Sequence, residues 1–196
     1  MDSLKASVLF GWKHGGGRWQ VRYRADALRS RLWVFLDASR STGAGNFLAQ
    51  ARDVVGGLAL AGKSSRCHLL VLKDGMLQWK ARNATAHGFC RVLDQIRDAS
   101  GKSLIADGVY QLYRQGLRSG WTSADRILIC SDGLVSPQPG EPVETAVRRL
   151  RNSLRRLTQS SAKTTWYHPP MNRSLERWLS RLCDGLPVHW VAARKS

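Results

Sequence analysis

Arg31-Leu-Trp-Val-Phe-Leu-Asp37-Ala-Ser39-Arg-Ser41-Thr-Gly43-Ala-Gly45 is the stretch that decides how this chain is read. Residues 32–36 are an unbroken apolar run, rich in β-branched and aromatic side chains. A strand buried on both faces has that composition, whereas a strand with one wet face alternates. The run stops at Asp-x-Ser-x-Ser and a glycine-containing turn, and residues 46–61 then carry helical spacing. A carboxylate and two hydroxyls therefore stand on a loop at the carboxyl end of a central strand. Open α/β sheets bind their ligands there.

The atoms of the loop set its chemistry. Asp37 brings a negative charge, and Ser39 and Ser41 bring neutral oxygens that a tight turn can aim the same way. A few hard oxygens, with room left for water, suit magnesium better than calcium or a thiolate-seeking metal. The plainer reading is that Asp37 and Ser39 cap the following helix. The choice between them rests on whether other oxygen ligands lie at the ends of neighbouring strands.

At 196 residues, 43% of them hydrophobic, the chain has the length of about one domain and enough apolar side chains for a core. No apolar run approaches the roughly 20 residues that cross a bilayer. Residues 1–13 lack the long apolar centre of a secretory signal, so a cytoplasmic location is the expectation. Cys67, Cys90, Cys130 and Cys183 are widely separated among apolar neighbours, without zinc-type spacing, and read as buried, reduced thiols. The formal net charge of +17 points to an anionic partner, whether nucleic acid, an anionic surface or an acidic protein. Its basic residues concentrate in 13–31 and 148–156, neither interleaved with exposed-looking aromatics. Trp33, Trp166, Trp178 and Trp190 fall inside expected strands or helices, where packing is their duty.

Taken in order, residues 1–30 read as a basic arm containing a glycine turn (15–17) and an alternating edge strand near 19–24. After the first strand and its helix comes a second apolar strand, 67–72, turning at Lys73-Asp74-Gly75 into an antiparallel edge strand at 76–80. Helices are expected over 86–98 and from Ser103 to Leu117, then a strand at 126–130 ended by Ser131-Asp132-Gly133. A proline-containing loop, 134–142, leads to a basic helix at 143–158, which lays Val147, Leu150, Leu154 and Leu157 on the sheet. A strand at 164–167, a helix at 174–183 and a strand at 188–191 close the chain. Apolar strands alternating with helices predict an α/β fold: a three-layer, doubly wound, mostly parallel sheet with one antiparallel edge strand. The expected organisation is arm 1–30, domain 31–192 and tail 193–196.

Three loops collect at strand ends: Asp37-x-Ser39-x-Ser41, Gly101-Lys102-Ser103-Leu-Ile-Ala-Asp107-Gly, and Ser131-Asp132-Gly133. In order and spacing this set resembles the metal-ion-dependent adhesion site of a von Willebrand factor A domain, over roughly residues 30–192. Carried over position by position, the resemblance makes Ser39 and Ser41 direct ligands of a Mg2+ ion. It places Asp37 and Asp132 at the ion directly or through water, and Ser103 where the family usually has threonine. Lys102 departs from the pattern, replacing a common glycine with a cation beside the ion. In the family an acidic residue of a partner protein completes the coordination, so the site binds protein rather than catalysing hydrolysis.

Within that family, residues 21–39 and the two short loops are similar to the A domain of the magnesium-chelatase D subunit and its cobalt-chelatase relatives. That resemblance implies a non-catalytic accessory subunit, with an AAA+ ATPase and the large chelatase subunit as protein partners in inserting metal into a tetrapyrrole. The family's ATPase-like half and acidic linker are not in this sequence. Basic segments 18–31 and 148–156 would steer the protein to acidic partner surfaces. A different class of reading is a nucleic-acid-binding protein that lays its basic helix on phosphates. A hydrolase has little support, because His14, His68, His87, His168 and His189 are scattered and none neighbours a nucleophile.

Overall fold

The apolar run at 32–36 is the middle of strand β1 (Arg31–Asp37), and its side chains divide between two cores. Leu32, Val34 and Leu36 enter one, Trp33 and Phe35 the other, and all five are 2% exposed or less. That two-sided burial is why the run does not alternate. The computed structural model describes residues 30–61, 66–160, 162–170 and 173–193. Residues 1–29 of the expected basic arm, with its edge strand, and residues 194–196 of the expected tail lie outside the described residues, while Ala193, expected in the tail, is buried in the core with its N–H bonded to the His168 carbonyl.

Around β1 lie β2 (Arg66–Lys73), β3 (Met76–Ala84), β4 (Arg126–Cys130), β5 (Lys163–His168) and β6 (Val188–Ala192). The six strands form one sheet in the order β3-β2-β1-β4-β5-β6. Every neighbouring pair is parallel except β2 and β3, which form a hairpin through Asp74 and Gly75, both at positive φ. Asp-Gly is the dipeptide such a turn favours. Helices α1 (Phe47–Ala61) and α2 (Ala86–Leu93) cover one face of the sheet. Helices α3 (Ile105–Arg118), α4 (Val143–Gln159) and α5 (Arg173–Leu182) cover the other. The α/β class, the doubly wound sheet and its antiparallel edge strand are as the sequence predicts.

The helices follow their apolar spacing. Ile105, Val109 and Leu112 line the buried side of α3, and Ala146, Leu150, Leu154 and Leu157 that of α4. Arg148, Arg151, Arg155 and Arg156 lie on the exposed side of α4. Two boundaries depart from expectation. The helix expected over 86–98 ends at Leu93, because the chain tightens there through Gln95 N–H to Val92 and Ile96 N–H to Leu93 bonds. Ile96 is buried all the same, and its carbonyl accepts from Arg52, so apolar spacing continued past the helix. The second departure is β3, which runs to Ala84 across a register irregularity opposite residues 67–70.

All four cysteines are free thiols. Cys67, Cys130 and Cys183 are buried, and burial pushes Cys67 up to about 11 and Cys183 to about 12. Cys90 is only half-buried, because it lies where α2 meets the flank of α1 at Gly56. Trp33 and Trp166 are fully buried, while Trp178 and Trp190 are half-buried at the edge of the same core.

The topology positions a crevice. From β1 the chain winds outward through β2 and β3, then returns to place β4 on the other side of β1. The strand order reverses between β1 and β4, and a gap opens beyond their carboxyl ends. Asp37 is the last residue of β1, and Asp132 follows β4 by two residues.

Candidate metal centre

Asp37 is completely buried, and its carboxylate is the hub of the crevice. The Ser39 N–H donates to Oδ1 at 3.0 Å, while the hydroxyls of Ser103 and Ser131 donate to Oδ2 at 2.9 and 2.7 Å. Those hydroxyls come from the connection between α2 and α3 and from the loop after β4, so one carboxylate gathers three segments of chain. Each serine spends its proton on Asp37 and keeps oxygen lone pairs for another group. Ser39 Oγ lies 3.3 Å from Ser41 Oγ. The Ser41 hydroxyl in turn sits against Asp132, whose Oδ1 accepts from the Leu134 N–H at 3.0 Å. The five side chains singled out from sequence, Asp37, Ser39, Ser41, Ser103 and Asp132, thus converge.

The crevice has a floor and a rim. Asp37, Ser39, Ser103 and Asp132 are buried, whereas Ser41 is exposed and faces solvent. Main-chain bonds hold the loops together. Ser100 N–H donates to Ala38 and Arg40 N–H to Gly101, tying the first loop to the second. Ser103 N–H donates to Ser136 Oγ while Ser136 N–H returns a bond to the Ser103 carbonyl, tying the second to the third. Thr42 Oγ1 donates to the carbonyls of Asp37 and Ser39, closing the first loop on itself. Gly101 is at φ +81°, and a Cβ there would lie 2.4 Å from the Gly75 nitrogen, so only glycine lets this loop meet the β2–β3 turn.

The plainer capping readings do not describe these side chains. Residue Leu104, not Ser103, precedes α3, and the Ser103 hydroxyl is spent on Asp37. Ser39 precedes the 3-10 turn at Arg40–Asn46 but makes no side-chain cap bond to it. Sequence reasoning did miss Ser131 as a site residue, although it makes the shortest bond to Asp37 and also accepts the Gly133 N–H at 3.0 Å. The signal was there: it is the hydroxyl in Ser131-Asp132-Gly133.

Electrostatically the crevice is short of positive charge. Burial pushes both Asp37 and Asp132 above the ordinary carboxylate value, and Asp132 adds repulsion at Asp37; the serine hydroxyls offset only part of this. Among the described residues neither carboxylate has an ion-pair partner. Lys102 is exposed and does not pair with either. No three His, Cys, Asp or Glu side chains gather anywhere among the described residues, so a soft-metal or all-carboxylate cage is not what this is. Two carboxylates and a set of hydroxyls form a hard-oxygen pocket whose charge fits a small divalent cation.

Beside it, Arg149 of α4 bonds to Asp107 at 2.6 Å and to Glu141 at 2.8 Å. This fastens the first turn of α3 and the proline-containing loop to α4, bracing the second and third loops from outside. The basic helix is therefore not all solvated surface: Arg149 has a structural task. At the opposite end of the sheet Arg31 pairs with buried Asp125 at 2.6 Å, so one residue of the expected steering segment is also structural.

No protein-family model matches the sequence, and no curated protein matches it. Solved structures do match in shape. The SpRpn10 VWA domain superposes with a TM-score of 0.59 at 15% identity, covering 86% of this chain and 89% of that one. The manganese-loaded Plasmodium vivax TRAP protein gives 0.61 at 11% identity, covering 85% of this chain and 69% of that one. An aerotolerance-related membrane protein from Bacteroides fragilis gives 0.57 at 12% identity, covering 84% of this chain and 92% of that one. At such identities the likeness concerns the path of the backbone, and together with the strand order it means that this chain has the von Willebrand factor A fold.

Proposed function

We propose that the chain is a protein-interaction module in which Asp37, Ser39, Ser41, Ser103 and Asp132 hold one Mg2+ ion. The observation that carries this reading is the pair of buried, cation-poor carboxylates beneath a rim of hydroxyls at the β1–β4 reversal. When bound, the ion offers a vacant coordination position to a carboxylate of another protein. Asp37 orients Ser103 and Ser131 by accepting their protons, Ser39 and Asp132 add oxygens from the first and third loops, and exposed Ser41 keeps the entrance polar. A structural relative described as manganese-loaded, TRAP, supports a divalent cation in this fold.

At a finer level the reading is a magnesium-chelatase D-like subunit. On it, an acidic residue of an AAA+ ATPase or of the large chelatase subunit reaches the ion, and the complex inserts metal into a tetrapyrrole. The three loop motifs and the similarity of residues 21–39 support it. The test is a pull-down of the AAA+ ATPase with the full chain in Mg2+ and in EDTA. Capture is expected in Mg2+, with loss in EDTA and in Asp37→Ala and Ser39→Ala, both of which keep their circular dichroism. Equal capture by these variants overturns the metal-mediated reading.

A further inference from the structure

A groove runs along the molecule between β3 and α3. It arises because α3 lies over β1 and β2 and leaves β3, the edge strand, uncovered on that face. Leu77 and Trp79 of β3 form its floor. Its upper part is a hollow of ≈ 460 Å³ lined by Met76, Leu77, Leu104 and Gln138. Leu104 follows Ser103 in the chain, so this is the end of the groove nearer the candidate metal centre. The lower part, ≈ 410 Å³, is lined by Trp79, Arg82, Tyr110, Arg114 and Arg118. Asp107 and Gln111 belong to both, so the two hollows are continuous.

The lower half is positively charged and unpaired. Arg82, Arg114 and Arg118 are exposed, and among the described residues no carboxylate pairs with any of them. Arg82 lies over the Trp79 ring at 5.2 Å and Arg114 over Tyr110 at 5.9 Å, contacts that hold each guanidinium in place while its N–H edge stays available. Asp107, the acid nearest them in the lining, is already engaged by Arg149. The upper half differs in kind. Its lining holds no lysine or arginine, and its side chains are apolar or amide apart from Asp107.

We infer that this groove binds an extended acidic segment of the partner protein, apolar where it leaves the metal centre and acidic where it meets Arg82, Arg114 and Arg118. This deepens the interaction reading above and rests on it for the kind of molecule that enters. A nucleic-acid strand suits the arginines but carries a phosphate at every unit, and the apolar upper half has nothing to offer those charges. The chain's own residues 1–29 fit poorly as well, since Lys5, Lys13, Arg18, Arg22, Arg24 and Arg29 outnumber Asp2 and Asp26. The 14 residues of α3 rise ~21 Å, a length that about seven extended residues cover.

The experiment uses the full chain and fluorescence anisotropy. The probes are fluorescein-labelled Leu-Val-Leu-Glu-Asp-Glu-Asp, its reversed sequence and a single-stranded oligothymidylate of matching length, in about 0.1 M salt. At least one peptide is expected to bind more tightly than the oligothymidylate. Arg114→Glu with Arg118→Glu should weaken it at least tenfold, and Leu77→Glu should weaken it through the apolar half. Arg114 and Arg118 are exposed, so their reversal should leave circular dichroism unchanged and carries the test, whereas Leu77 is half-buried against the core and its variant counts only with native circular dichroism. EDTA and Asp37→Ala are expected to leave peptide binding in place, which separates the groove from the metal centre. Peptide binding indifferent to the arginine reversal overturns the inference, as does tighter binding of the oligothymidylate.

Discussion

Asp37 lies where water does not reach, so burial raises its pKa and makes its charged form costly, and among the described residues that form is compensated by hydrogen bonds from Ser39, Ser103 and Ser131. Hydrogen bonds soften the cost of a buried charge without cancelling it. Asp37→Asn removes the charge and nearly preserves the shape. Relief of the buried charge is offset because the amide NH2 must then face either the Ser39 N–H or the two serine hydroxyls, so the Tm of the metal-free protein is expected to change by less than about 4 °C. On the proposed metal reading the native chain should gain in Tm with Mg2+, read by differential scanning fluorimetry, and the same variant should lose that gain. His68 gives a second prediction, at the amino-terminal end of the sheet. It is buried and stacked on Trp33 at 3.7 Å, and neither ring nitrogen has a hydrogen-bond partner. Burial, reinforced by Arg31 and Arg82 against the opposing pull of Asp125, lowers its pKa from 6.5 to about 4. A base whose pKa falls on folding binds fewer protons in the native state, so its contribution is complete above pH 6.5 and declines as pH falls towards 4. The loss by pH 4 is about 2–3 kcal/mol. His68→Phe keeps a ring against Trp33 and should flatten that acid limb in urea titrations run from pH 7 to pH 4.

Elements matter to the site through the closeness with which α3 can approach β1. Gly108 is what permits it: a Cβ there would lie 2.3 Å from Phe35 Cε2, inside a fully buried ring. Gly108→Ala is expected to cost about 1–3 kcal/mol by overpacking and to shift α3, with Ser103 just ahead of it, away from Asp37. Mg2+ affinity, measured by calorimetry, should fall with it. Gly57 in α1 is the internal control: exposed, helical, with nothing within 4 Å of the added Cβ. Gly57→Ala should gain about 0.5–1 kcal/mol. What could be read from sequence follows the same division. Strands β1, β2 and β4 were legible because burial on both faces forces unbroken apolar runs, and Asp37, Ser39, Ser41 and Asp132 stood out because they end or follow two of those runs. The end of α2 was not, since Ile96 keeps the helical apolar spacing after the main chain has left the helix. The role of Ser131 was not legible either, for a serine between a strand and an aspartate looks like turn chemistry until the third dimension brings it to Asp37. Gly108 and the β3–α3 groove depend on how far α3 sits from the sheet edge, a distance that no local pattern encodes.

For the whole molecule, the formal net charge of +17 sets two opposing effects of salt. The described ion pairs are few: Arg31–Asp125, Lys73–Asp98, and Arg149 with Asp107 and Glu141. Arg31–Asp125 is largely out of solvent and little screened, and exposed pairs are worth at most about 1 kcal/mol each. Repulsion among the excess cations is spread over the surface and is screened within a Debye length of about 8–10 Å near physiological salt. Screening should therefore remove more repulsion than attraction. Tm is expected to rise as NaCl is raised from about 0.02 to 0.3 M at constant pH. Association with an acidic partner should move the other way, because the same field that destabilises the free chain accelerates its encounters. Magnesium has to be separated from this general effect. At matched ionic strength, MgCl2 should raise the Tm of the native chain further than NaCl does if, as proposed, it also binds at Asp37 and Asp132. In Asp37→Asn the two salts should become equivalent. A residual MgCl2 advantage in that variant would mean that the cation acts elsewhere on this basic surface, and the metal centre would lose its main physical support.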